Sequence, residues 1–185
     1  GSGGSLSVSA RVDGALDNMV AALDLLTRLG RGDPQEPSET DLGAALDEAV
    51  AFAGMQRHLP DLTLTVDRPP GIVLVGMPRF ELTQVLVNLV TNARETGAPA
   101  ADPVVLAGTM AMEGRAAITV TDCGPGIRPP AGRAFASTKS PLFHGGIGLF
   151  VSRALVESRG GTLTWERRPA GGTEVRVLLP ASGPS

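Results

Sequence analysis

Hydrophobic residues recur every three or four positions over four stretches of the chain, with shorter runs between them. In the first stretch, Val12, Leu16, Met19, Val20, Leu23, Leu26 and Leu29 share one face. They predict a helix from Val8 to Leu29, stopped by Gly30, Gly32 and Pro34. Residues 30–40 read as a polar linker. Asp41 suits the N-cap of a second helix, from Leu42 to about His58, with Leu42, Ala45, Leu46, Ala49 and Val50 as its apolar stripe. Leu62 to Val66 alternates in the manner of a strand, and Ile72 to Val75 is a short apolar strand. A third helix is predicted from Phe80 to Glu95, with Leu82, Val85, Leu86, Leu89, Val90 and Ala93 on one side. Val104 to Met110 and Ala116 to Thr121 read as a hairpin turning at Glu113-Gly114. Residues 127–145 read as loop. A fourth helix spans Gly148 to Arg159 before Gly160-Gly161, and Thr162 to Glu166 with Thr173 to Leu179 form a closing hairpin around Ala170-Gly171-Gly172. The simplest layering is an α+β, two-layer sandwich: one sheet with helices on one face.

Composition narrows the function. Apolar residues make up 42% of the chain but aromatics only 3%, so aliphatic side chains must build the core. Sixteen basic against nineteen acidic residues give a net charge of -3, which argues against nucleic acid as a partner. No apolar run reaches the length of a membrane span, so no membrane contact is expected of this fragment. The single cysteine, Cys123, excludes an internal disulfide and reads as a small packed side chain. His58 and His144 lie too far apart in sequence to suggest a zinc site. Residues 1–5, Gly-Ser-Gly-Gly-Ser, read as a cloning remnant, so the natural protein is expected to continue upstream.

Three motifs carry chemistry. Gln84, Asn88 and Asn92 are spaced by four and share a helix face opposite the apolar stripe. An amide oxygen there suits magnesium, a hard cation; the plain alternative is an exposed polar face. Asp122 ends the run Ile118-Thr119-Val120-Thr121, where a carboxylate can accept a hydrogen bond from an adenine amino group. Gly124 and Gly126 would let the chain turn sharply beneath the base. Gly145, Gly146 and Gly148 open a helix whose free amides can hold phosphate.

In this order the motifs resemble the ATP-binding domain of sensor histidine kinases, in the superfamily that includes DNA gyrase, the Hsp90 chaperones and the MutL proteins. Gln84 to Asn92 is similar to the N box, and Asp122 to Gly126 to the first glycine box. Phe135 to Lys139 is similar to the F box, and Gly146 to Leu149 to the second glycine box. The resemblance spans about Asp41 to Pro180. It implies a mixed sheet covered by three helices, with ATP and Mg2+ as cofactors. It also implies a nucleotide site of Asn92, Arg94, Asp122, Gly124, Gly126, Ile127, Thr138, Lys139, Gly146, Ile147, Gly148 and Leu149, with Asn92 as the metal ligand. Asn88 stands where hydrolytic relatives carry a catalytic glutamate, which favours a kinase over an ATPase of the gyrase or MutL type. Lys139 reads equally as a phosphate contact or a solvated surface lysine. Two positions depart from the family pattern: His144 replaces a glycine of the second box, and Glu95 stands where a basic residue is common.

The resemblance makes residues 6–30 the second helix of a dimerisation hairpin, 41–181 the catalytic domain and 182–185 a tail. Neither histidine has the setting of a phosphoacceptor. The expected function is therefore to position Mg-ATP for transfer to a histidine outside this chain; the alternative is a degenerate nucleotide-binding scaffold. Expected partners are a histidine-bearing dimerisation helix and a response regulator, with a weak homodimer or a monomer in solution. The expected location is the cytoplasm, with membrane anchoring of the full-length protein left open.

Overall fold

The computed structural model describes residues 39–55, 64–95, 104–111, 113–125 and 146–182. The expected helix over residues 6–30 lies outside them. Ten elements follow in order: β1 (Thr40–Asp41), α1 (Leu42–Met55), β2 (Leu64–Asp67), β3 (Leu74–Val75), α2 (Arg79–Glu95), β4 (Val104–Ala111), β5 (Arg115–Thr121), α3 (Gly146–Ser158), β6 (Thr162–Arg167) and β7 (Thr173–Ser182).

The strands form one mixed sheet in the order β1-β3-β7-β5-β4-β2, with β6 also paired to β7. β2 runs parallel to β4, and every other pairing is antiparallel. Alternation along the central strands decides which face the helices cover. Ala116, Ile118 and Val120 of β5 are buried, as are Val175, Val177 and Leu179 of β7. The residues between them, such as Thr119 and Arg176, point to the other face. The helices meet the buried face with their own stripes: Leu82, Val85, Leu86, Leu89, Val90 and Ala93 from α2, and Val151, Leu155 and Val156 from α3. Among the described residues the layering is that of the expected α+β sandwich.

Local signals explain most element boundaries. Asp41 Oδ1 accepts the Gly43 N–H at 3.0 Å, which caps α1 as its sequence suggests. The buried stripe of α1 is Leu42, Ala45, Leu46, Ala49 and Ala53. Val50 is only half-buried, because the 3.6-residue period carries the stripe to Ala53 instead. α1 lies close on β4 at Gly108, where a Cβ would stand 2.9 Å from Leu46 Cδ1. β1 begins at Thr40, the last residue of the expected linker; its hydroxyl donates to the Met77 carbonyl at 2.7 Å. β3 is shorter than expected, because Ile72 is 63% exposed and Val73 instead accepts the Leu42 N–H. α3 begins two residues before its sequence estimate. It ends in a tight reversal, with the Gly160 N–H on the Glu157 carbonyl and the Gly161 N–H on that of Val156. Gly160 has φ +71°, the left-handed geometry of a helix stop.

No helix among the described residues is long and apolar enough to cross a membrane. On the surface, Glu48 accepts from Arg79 Nε at 2.8 Å and from the Thr83 hydroxyl at 3.0 Å. The Arg79 hydrogen bond holds the Glu48 carboxyl below its ordinary value, against a smaller opposing effect of burial. A lowered folded-state pKa contributes stability above the unfolded value, and that stability is lost as the pH falls through the folded one. Glu48→Gln should therefore flatten the acid limb of the stability curve below about pH 4.3, a small effect because solvent screens the pair. Urea midpoints measured against pH would check this.

Candidate nucleotide site

Topology gathers the motifs at one end of the sandwich. α3 packs against β6, and the reversal at Gly160-Gly161 makes the strand return antiparallel to the helix. Thirteen helical residues rise about 20 Å, and six strand residues cover about the same distance. The end of β6 and the start of β7 therefore come level with the N-terminus of α3. Thr121 pairs with Glu174 at the start of β7, so Asp122 lies at this end too. α2 packs alongside α3, and Glu81 at the start of α2 bonds to Arg159 just past the end of α3. Side-by-side packing with that end-to-end pairing makes the two helices antiparallel. It brings the C-terminal half of α2, with Asn88 and Asn92, to the same end.

Asp122 is held from two sides and is 4% exposed. Its Oδ1 accepts the Gly124 N–H at 2.8 Å and the Thr173 N–H at 3.2 Å. Its own N–H donates to the Thr173 carbonyl at 3.0 Å. Arg168 Nη1 approaches the Asp122 carbonyl at 3.4 Å. Among the described residues both hydrogen bonds to the carboxylate fall on Oδ1, which leaves Oδ2 as an acceptor for a ligand donor. The bond from Gly124 fixes the turn that the glycine box was expected to make. Cys123 is exposed, contrary to its reading as a packed side chain, because the chain leaves the sheet directly after Asp122.

Gln84, Asn88 and Asn92 are all half-buried while Val85, Leu86, Leu89 and Val90 are buried, so the amide face borders the core without entering it. Arg94 is two residues beyond Asn92, about 200° round the helix, and does not share that face. It sits in the last turn of α2, where a cation suits the helix dipole. Gly146, Ile147, Gly148 and Leu149 form the first turn of α3, whose amides lack intrahelical acceptors. Gly126, Ile127, Phe135, Thr138, Lys139 and His144 lie outside the described residues.

The donor set suits a nucleotide with a hard cation. It offers one aspartate acceptor, free helix amides for anionic oxygens, and neutral amide oxygens that a magnesium ion sharing phosphate ligands accepts.

The structure adds residues that sequence reading did not single out. Gly172 and Thr173 seat the β6–β7 turn on Asp122; the signal was the Gly-Gly-Thr run ahead of an alternating strand. Ser152 is fully buried in α3, and its hydroxyl has no partner among the described residues. It lies seven residues before Arg159, as Asn88 lies seven after Glu81, so the antiparallel register brings Ser152 and Asn88 level. Glu81 and Arg159 themselves carried no sequence signal, since their contact spans 78 positions.

Comparisons with known proteins identify the family and the fold. Residues 78–183 match the family model described as histidine kinase-, DNA gyrase B-, and HSP90-like ATPase. The sensor protein FixL of Bradyrhizobium diazoefficiens is 31% identical over 186 residues, covering 95% of this chain and 36% of that protein. The probable sensor histidine kinase TcrY of Mycobacterium tuberculosis is 31% identical over 177 residues, covering 91% and 36%. The chain thus spans about a third of the length of these curated relatives. Among solved structures, a mycobacterial sensor histidine kinase, MprB, is similar at a TM-score of 0.64 and 25% identity, covering 77% of this chain and 96% of that one. The histidine kinase AdeS of Acinetobacter baumannii shares the fold at a TM-score of 0.66 and 19% identity, covering 91% and 80%. On the matched span, the site and the relatives together, the chain belongs to the histidine kinase-, DNA gyrase B- and HSP90-like ATPase family, and its domain is an ATP-binding catalytic domain of the sensor histidine kinase type.

Proposed function

We propose that this domain binds Mg-ATP between Asp122, the amide face of α2 and the N-terminus of α3, and presents the γ-phosphate to a histidine on another segment. The observation that carries this reading is the half-used Asp122 carboxylate, fixed by two backbone donors on Oδ1 with Oδ2 left to accept from an adenine amino group. The first-turn amides of α3 would hold the phosphate chain. Asn92 would offer its amide oxygen to Mg2+, which would supply neutralisation of the phosphate charge. Asn88 cannot take a proton from water at neutral pH, so the site lacks a general base on this face of α2 and spares ATP from hydrolysis. Gly126, Ile127, Thr138 and Lys139 complete the site in this reading, and Arg94 is its least favourably placed member. The histidine-bearing segment would be a dimerisation helix, with a response regulator as the next acceptor and the cytoplasm as the compartment that supplies ATP.

A nucleophile must come within about 3–3.5 Å of the phosphorus in line with the leaving group; His58 and His144 both lie outside the described residues, and neither has the sequence setting of a phosphoacceptor. Incubated with γ-labelled ATP, the isolated chain should bind nucleotide and remain unlabelled. Adding the acceptor helix of the full-length protein should produce acid-labile, alkali-stable phosphate. Binding without labelling in the presence of that helix would point instead to a nucleotide-binding scaffold, and steady hydrolysis by the isolated chain to an ATPase.

A further inference from the structure

The α2–α3 seam carries a directional lock at the end far from the nucleotide site. Arg159 Nε donates to Glu81 Oε2 at 2.9 Å and its Nη2 to Glu81 Oε1 at 2.5 Å, a two-pronged pair. Glu81 is 8% exposed, and Arg159 keeps about a third of its side-chain surface. Each charge also sits where the helix dipole favours it, the acid in the first turn of α2 and the base just past the end of α3.

The position of this pair has a consequence for the site. Asn92 is eleven residues beyond Glu81, and Gly148 is eleven residues before Arg159. Both offsets correspond to about 16 Å along antiparallel axes, so the pair brings Asn92 level with the first turn of α3. Between the pair and the site, Val85 and Leu89 of α2 and Leu155 of α3 are buried, and Ser152, level with Asn88, makes no hydrogen bond among the described residues. Such apolar contacts are non-directional, so among the described residues the ion pair is the directional element of this seam. Moving one helix by a residue would shift the amide oxygen of Asn92 about 1.5 Å against the phosphate-facing amides of α3.

We propose that Glu81 and Arg159 are positioning residues for the metal–phosphate half of the site: their ion pair sets the axial register of α2 against α3. The proposal rests on the nucleotide reading above. The adenine half is anchored separately, through β5 and the β6–β7 turn, so the two halves should respond differently when the pair is broken.

The test uses Glu81→Gln, Arg159→Lys, which keeps the charge but loses the fork, and the reversed pair Glu81→Arg with Arg159→Glu. Melting curves and circular dichroism fix a temperature at which each variant is folded. Mg-ATP affinity is then measured by calorimetry, and adenosine binding by NMR shifts of the Thr173 amide. The expected result is a roughly three- to thirtyfold weaker Mg-ATP affinity in the single variants, unchanged adenosine binding, and partial recovery of Mg-ATP affinity in the reversed pair. Loss of adenosine and Mg-ATP binding in equal proportion would show a merely structural role and overturn the proposal, as would wild-type Mg-ATP affinity in folded Glu81→Gln. If Glu81→Gln does not fold, Arg159→Lys and the reversed pair decide by the same readouts. Failure of the unaltered chain to bind nucleotide would instead defeat the underlying site reading, a result the wild-type titration separates from the others.

Discussion

Gly172→Ala should destabilise the domain by about 3 kcal/mol or more and weaken nucleotide binding with it. Gly172 has φ +87°, and a Cβ built there would stand 1.9 Å from the Asp122 carbonyl oxygen, 2.7 Å from its carbonyl carbon and 2.9 Å from Cys123 Cα. All three obstacles are backbone, so no side-chain rotation can relieve the overlap. Either the β6–β7 turn lifts, which breaks the Thr173 N–H bond to Asp122, or Asp122 moves and its free oxygen is misdirected. The neighbouring Gly171 supplies the control. Its φ of +95° is equally foreign to alanine, yet nothing stands within 4 Å of its Cβ position. Gly171→Ala should therefore cost only backbone strain, about 1–2 kcal/mol. Urea midpoints and nucleotide titrations of the two variants check the difference. Equal stability losses would mean that the turn does not rest on Asp122.

Asp122→Asn should keep the fold and lose roughly ten- to hundredfold in adenine-nucleotide affinity. The amide oxygen can still accept from Gly124 and Thr173. The group in place of Oδ2 becomes an N–H donor, which faces the adenine amino donor with like polarity. Asp122→Ala should bind as poorly and also be less stable, because it strands two buried N–H donors that now meet on Oδ1. Calorimetric titration with Mg-ATP, paired with thermal melting, separates the two effects. An Asn variant with undiminished affinity would remove Asp122 from base recognition.

The elements themselves were legible along the chain because each rests on a local rule. The α2 stripe follows the helical period, the β5 and β7 alternation follows the strand period, and Asp41 and Gly160 sit where a cap and a helix stop are needed. The site was legible to the extent that its chemistry comes in short runs: the amide ladder of α2, the Asp122 turn and the glycines that open α3. The misjudged residues have equally local reasons. Ile72 and Cys123 are of apolar or small types, but each lies where the chain enters or leaves the sheet, and exposure at such edges is set by neighbours distant in sequence.

What the sequence by itself determined, then, is which segments form helices and strands and which residue types can meet a nucleotide, since both follow from periodicity and side-chain chemistry within a few turns. The tertiary structure alone decided how those segments are set against one another. The seating of Gly172 on Asp122, the placing of Ser152 level with Asn88, and the Glu81–Arg159 bond across 78 positions all need residues distant in sequence to meet. Those are fixed only when the apolar stripes bury against one sheet face, because burial is collective and no short window of sequence carries it.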